Sequence, residues 1–166
     1  MARDTVTIEG LDDVLRRLKA LGPMASQRGG PVRAAVRRAA VVIQKEMQDN
    51  IQRIMDEPNR GGDNEHTGTL RDSVRPIRAR AHSRLKGETF YVWIPKRARY
   101  EMLDARGGTK RSVAAIGQWL EYGTSKRKPM PWARPAYHSK KDEAVEVMRE
   151  EIIKGIEKIE RKLAKS

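Results

Sequence analysis

The side chains best placed by type to move protons are His66, His82 and His138, and the residues best suited to hold phosphate are arginines. A nuclease-like site would draw on Arg78, Arg80, His82, Tyr91 and His138. That set suits general acid–base work beside bound phosphate. Nothing in its spacing enforces such a site. Each histidine falls in an expected loop, strand end or helix entry, with no second ligand at metal spacing. Gly61-Gly62 and Gly107-Gly108 lack the lysine of a phosphate loop. The paired acids Asp12-Asp13 and Glu150-Glu151 lie on solvated faces of expected helices. With no cysteine in the chain, thiol catalysis and zinc-finger chemistry are excluded. The expectation is a protein that is not an enzyme, with no cofactor and no metal site.

Charge is the stronger signal. The formal net charge is +13 over 166 residues. Residues 1–66 carry 11 Lys/Arg against 10 Asp/Glu, residues 67–138 carry 16 against 5, and residues 139–166 carry 8 against 7. The excess therefore sits in the central third. A field concentrated in this way meets an acidic protein surface or a phosphate backbone. A basic strand beside an aromatic strand is also how single-stranded nucleic acid is gripped, which leaves a nucleic-acid-binding protein as an alternative.

The elements that position these residues follow from periodicity. Thr5–Ile8 alternates as a short strand, and Leu11, Val14, Leu15, Leu18 and Leu21 recur at helical spacing up to Gly22-Pro23. After a linker over Met24–Pro31 comes a strong helical stripe of Val32, Val36, Ala39, Ala40, Ile43, Met47, Ile51 and Ile54, ending near Asp56. Ser73–Ala81 and Thr89–Pro95 read as an antiparallel hairpin turning at Ser83–Gly87. In the second strand Phe90, Val92 and Ile94 face one way and Tyr91 and Trp93 the other, so both faces should be covered. Ser112 can cap a short helix that ends at Gly123. A heptad-like seam of Val145, Met148, Ile152, Ile156, Ile159 and Leu163 marks a long helix from near Lys140. The expectation is one α+β domain over residues 1–166, a small antiparallel sheet packed on a long helix with a long C-terminal helix. Mobile loops are expected at about 57–67 and 96–111, both polar and aperiodic. No apolar run is long enough to span a bilayer, and a soluble protein with no membrane partner is expected.

Two segments carry more. Thr67-Gly68-Thr69-Leu70-Arg71-Asp72-Ser73-Val74 is one. Trp119-Leu120-Glu121-Tyr122-Gly123-Thr124, followed by Pro129, Pro131 and Arg134-Pro135-Ala136-Tyr137, is the other. In this order they resemble a family of phage neck or tail-completion proteins, typified by the tenth gene product of a lambda-like coliphage. The opening Ile8-Glu9-Gly10-Leu11-Asp12 is similar to that family's start. The sequence departs from it in the insert at Lys96–Arg111 and in its high Arg/Lys content.

The resemblance implies a structural virion protein at the head–tail junction, present in the host cytoplasm during assembly. Copies would form a ring, six-fold, between the head-closure connector and the tail terminator or tube, around a channel that carries packaged DNA. A terminator capping the tail tube is the variant of this expectation. The expected subunit interface comprises Trp119, Glu121, Tyr122, Gly123, Pro129, Pro131, Trp132, Arg134, Pro135 and Tyr137. The basic residues Arg78, Arg80, Lys96, Arg97 and Arg99 would meet acidic neighbours or DNA. From the residues alone, Gly123 suits a positive φ, and Glu121, at the unfavourable end of a helix dipole, calls either for a basic partner, Arg71 or Arg134, or for a place in solvent. Trp119, Trp132 and Tyr137 would anchor a proline-stiffened strap at that interface; if the three packed in the core instead, Trp119 would be the first to turn inward.

Overall fold

The computed structural model describes residues 11–22, 30–57, 64–79, 88–104 and 107–165. The expected strand at Thr5–Ile8, the linker before Gly30, the hairpin turn at Ser83–Gly87 and the functional candidates Arg80 and His82 lie outside these residues.

Two long helices form the frame. Helix α2 (Pro31–Asp56) starts with a proline at its first position, where the missing N–H has no helical partner to lose. Helix α5 (Ala133–Leu163) runs along it, and this pair makes the most extensive contact in the fold. Small residues allow the approach: Ala35, Ala40, Ala136 and Ala144 are all buried. At the far end Gly155 lies against Pro31 so closely that a Cβ there would collide with the proline ring. Helix α1 (Leu11–Ala20) packs on α5 through Val14, with Arg17 Nη2 donating to Glu160 Oε2 at 2.8 Å.

The first sheet is as expected. Strand β1 (Arg75–Arg78) pairs antiparallel with β2 (Phe90–Trp93), matching Pro76 to Val92 and Ile77 to Tyr91. The sheet lies on α2. The face that carries Tyr91 and Trp93 is covered only in part, contrary to the reading of two apolar faces both packed. Trp93 packs on the core, whereas Tyr91 stays 50% exposed.

Three expectations need correction. The segment read partly as an exposed loop and partly as the start of a strand is helix α3 (Asn64–Ser73). Thr67, Leu70 and Val74, spaced by three and four, are buried. Its C-terminal carbonyls are satisfied from α2, Gln48 Nε2 donating to Arg71 O at 3.1 Å and Gln44 Nε2 to Val74 O at 2.9 Å. The aperiodic stretch Lys96–Arg111 contains a second antiparallel hairpin, β3 (Arg99–Asp104) with β4 (Gly107–Ser112). Backbone pairing defines this ladder, and its charges and glycines hide any apolar alternation. The C-terminal helix begins at Ala133 rather than near Lys140, because its first turn receives a cap from a distant side chain described below.

Helix α4 (Val113–Tyr122) completes the core. Ser112 stands at its N-cap position but makes no side-chain capping bond. Met47, Ile51, Ile54, Leu70, Val74, Ile94, Val113, Ile116, Leu120 and Trp132 form one cluster joining α2, α3, α4 and the start of α5.

Candidate functional site

The segment from Trp119 to Tyr137 folds around one carboxylate. Glu121, in the last turn of α4, is 1% exposed. Its Oε2 accepts the backbone N–H groups of Trp132 and Ala133, each at 2.8 Å. Its Oε1 accepts the backbone N–H of Arg134 at 3.2 Å and the Arg134 Nε at 2.8 Å. A side chain eleven residues upstream thus supplies what a serine or aspartate N-cap would supply locally. Negative charge at this helix start also suits the α5 dipole. Burial pushes the Glu121 carboxyl up, but the Ala133 N–H, the Arg134 guanidinium and the Trp132 and Arg134 N–H groups together outweigh it, and its pKa is lowered. The basic partner is Arg134. Arg71 instead bonds Asp72 Oδ1 at 2.9 Å and reaches Gln52.

The turn that brings the two helices together depends on Gly123. Its φ is +77°, and a Cβ there would lie 2.8 Å from Arg127 O and 2.9 Å from Pro129 N. Thr124 N donates to Arg127 O at 2.9 Å, closing a tight reversal. Met130 N then donates to Leu120 O at 2.7 Å, which ties the strap back to α4. Pro135 falls in the first turn of α5, where a missing N–H is tolerated.

The expected interface residues separate into two groups. Trp132 is fully buried, so its assignment to a subunit interface is wrong. Its ring stacks on Trp93 with centroids 5.5 Å apart, its Nε1 donates to Gly117 O at 2.9 Å, and its carbonyl accepts Asn50 Nδ2 at 3.0 Å. Glu121 is likewise internal. Trp119, expected at the interface, is 48% exposed, because the buried stripe of α4 passes through Val113, Ile116, Gly117 and Leu120. Tyr122, one turn on, is 65% exposed and carries the Arg134 guanidinium 5.2 Å from its ring centroid. Pro129, Pro131, Pro135 and Tyr137 are also on the surface.

Of the basic candidates, Arg78, Lys96, Arg97 and Arg99 are exposed. Arg78 is engaged: its Nε donates to Glu88 Oε2 at 2.9 Å, while Arg33 of α2 donates to Glu88 Oε1 through Nη2 at 2.8 Å. Glu88 therefore clips the first hairpin to the long helix. Hydrogen bonds from Arg33 and then Arg78 lower its carboxyl from the ordinary 4.5 to about 2. A signal for this residue exists in the sequence, since Glu88 is the one acid between Asp72 and Glu101. Arg99 Nη1 is turned onto the Lys96 carbonyl at 2.7 Å. Among the described residues, no group of three His, Asp or Glu side chains converges as a metal site. No helix among them is long and apolar enough to cross a membrane.

The Glu88 clip gives a pH prediction. A depressed carboxyl stabilises the fold above its unfolded value and loses that contribution as pH falls through the folded one. The parent's advantage over Glu88→Gln should be about 1 kcal/mol at neutral pH, modest because Arg78 is half-exposed. It should disappear between pH 4.5 and about 2. Urea unfolding of both proteins across that range reads the difference, and parallel curves at every pH would refute it.

No family model, curated protein or solved structure matches the chain.

Proposed function

We propose that this chain is a structural subunit of a long-tailed phage, one copy in a ring that joins the head connector to the tail. The observation that carries the reading is that the segments resembling neck and tail-completion proteins meet at a single point. Leu70 of the Thr-Gly-Thr-Leu-Arg segment and Trp132 of the strap both close on Gly117, where a Cβ would lie 3.2 and 3.1 Å from them. Glu121 and Gly123 of the Glu-Tyr-Gly-Thr segment hold the Arg134-Pro135-Ala136 turn in place. Residues far apart in sequence thus form one interdependent unit, as expected if they descend together from one family's fold.

In this reading the ring contact uses what that unit leaves outside. Trp119 and Tyr122 lie on one face of α4 beside the exposed prolines of the strap. Large aromatics with few rotatable bonds suit a repeated contact. The basic residues of the first hairpin and its flank face acidic neighbouring rings or the DNA channel. No catalytic role, cofactor or membrane partner is assigned.

Deleting the coding sequence from its phage genome should yield filled heads and separate tails, seen by negative-stain microscopy. The parent chain should restore joining. A Trp119→Ser, Tyr122→Ser variant should melt close to the parent, since both residues are substantially exposed, yet fail to restore joining. Normal virions from the deletion, or particles that do not contain the chain, would overturn the assignment.

A further inference from the structure

A groove of about 1440 Å³ opens between α2 and the β1–β2 sheet. Its floor is apolar, with half-buried Val36, Ala39 and Ile43 from the helix and Ile77, Val92 and the aromatics Phe90, Tyr91 and Trp93 from the sheet. The volume exceeds the several hundred Å³ typical of a small-molecule pocket and matches a length of polypeptide. Consecutive residues of both strands line it, so the opening runs along the strands. Among the described residues the sheet has two strands, so each keeps one edge that no third described strand pairs.

The rim has a definite charge. Arg75, Lys96 and Arg97 line the groove, are exposed, and have no carboxylate partner among the described residues. Arg78, the remaining rim arginine, is neutralised by Glu88. An apolar floor, a free strand edge and unpaired cations at the rim together define an occupant.

We infer that this groove receives an extended segment of a partner protein, alternating acidic and apolar residues, added as a further strand to the β1–β2 sheet. Main-chain hydrogen bonds to the edge would supply affinity, and side-chain alternation would supply register. A second copy of this chain is disfavoured, because its central third is itself strongly basic. Nucleic acid would find stacking faces on Phe90, Tyr91 and Trp93, but it would leave uncovered the aliphatic surface of Val36, Ala39 and Ile43 on α2, which polypeptide side chains can fill. The inference does not depend on the phage assignment, and its test uses the isolated protein.

Fluorescence anisotropy with a labelled peptide of alternating valine and glutamate provides that test. The peptide should bind, and its lysine counterpart should not. Arg75→Glu with Arg97→Glu should weaken binding by about tenfold or more. Ala39→Phe, which fills the floor without changing charge, should do the same, with thermal unfolding checking that it folds. N-methylation of alternate peptide residues removes donors on one edge, and loss of affinity there reads strand addition even if the floor variant does not fold. Absence of binding, or equal binding of the lysine peptide, would overturn the inference. So would insensitivity to N-methylation, or to a folded Ala39→Phe protein. Oligothymidylate that binds more tightly than the acidic peptide and competes with it would assign the groove to nucleic acid instead.

Discussion

Glu121→Ala should destabilise the chain by about 3–5 kcal/mol, as expected when two buried backbone N–H groups lose their shared acceptor. For a protein of this size that lowers the melting temperature by roughly 10 °C or more. The magnitude follows from what is left behind. The backbone N–H groups of Trp132, Ala133 and Arg134 lose their acceptor, and the first two belong to buried residues that water reaches poorly. Arg134 loses its carboxylate, although its exposed side chain can turn to solvent at small cost. The first turn of α5 should fray, loosening the strap that Met130 N ties to Leu120 O. Glu121→Gln keeps one acceptor oxygen and should cost less. It also separates charge from shape. Because the folded Glu121 carboxyl lies below its ordinary value, its contribution is present above the unfolded pKa and lost as pH falls. The parent's advantage over the glutamine variant should therefore shrink in acid. Urea denaturation of the three proteins measures these differences. An alanine variant that melts within a degree or two of the parent would mean that the network does not hold the turn.

Legibility in the sequence depended on which force shapes each element. The α2 stripe, the β1–β2 pairing and the positive φ at Gly123 follow from local periodicity and punctuation, and all are found. Helix α3 was hidden because Gly68 and four threonine, serine or aspartate residues weaken the helical propensity of Thr67–Ser73, and packing on α2 overrides that weakness. The β3–β4 hairpin was hidden because its ladder is made of backbone bonds, while its sequence is charged and glycine-containing. The start of α5 could not be read locally, since its cap comes from α4. The helix dipole at Glu121 leaves a basic partner or solvent exposure open, and spacing leaves Arg71 and Arg134 equal. Only the reversal at Gly123, which returns the chain to the end of α4, decides for Arg134. Of the groove rim, Lys96 and Arg97 stand out in the sequence as basic docking candidates, whereas the place of Arg75 and the pairing of Arg78 with Glu88 need the fold.

Of the two tryptophans expected at the subunit interface, Trp132 lies in the core and Trp119 on the surface, and mutation should separate them sharply. Trp132→Ala should cost about 3–5 kcal/mol, the range for truncating a large aromatic in a packed core. Its ring is fully enclosed, stacks on Trp93 at an interplanar angle of 20°, and closes on Gly117. Truncation leaves a void that Trp93 and Leu70 cannot fill without moving off their own contacts. It also leaves the carbonyl of buried Gly117 without the Nε1 donor. Trp132→Phe keeps an aromatic ring for the stack but loses that donor and part of the ring volume, so it should cost about 1–3 kcal/mol. Asn50 and Glu121 bond the backbone of residue 132, so both bonds can persist in either variant. Trp119→Ala removes a half-exposed ring and should stay within about 1 kcal/mol of the parent. Its effect should fall on assembly instead, through the surface shared with Tyr122. Thermal and urea unfolding of the three variants gives the order Trp132→Ala, Trp132→Phe, Trp119→Ala from most to least destabilised. A Trp119→Ala protein that unfolds more readily than Trp132→Ala would reverse the placement of both rings, and the contact surface drawn around Trp119 would go with it.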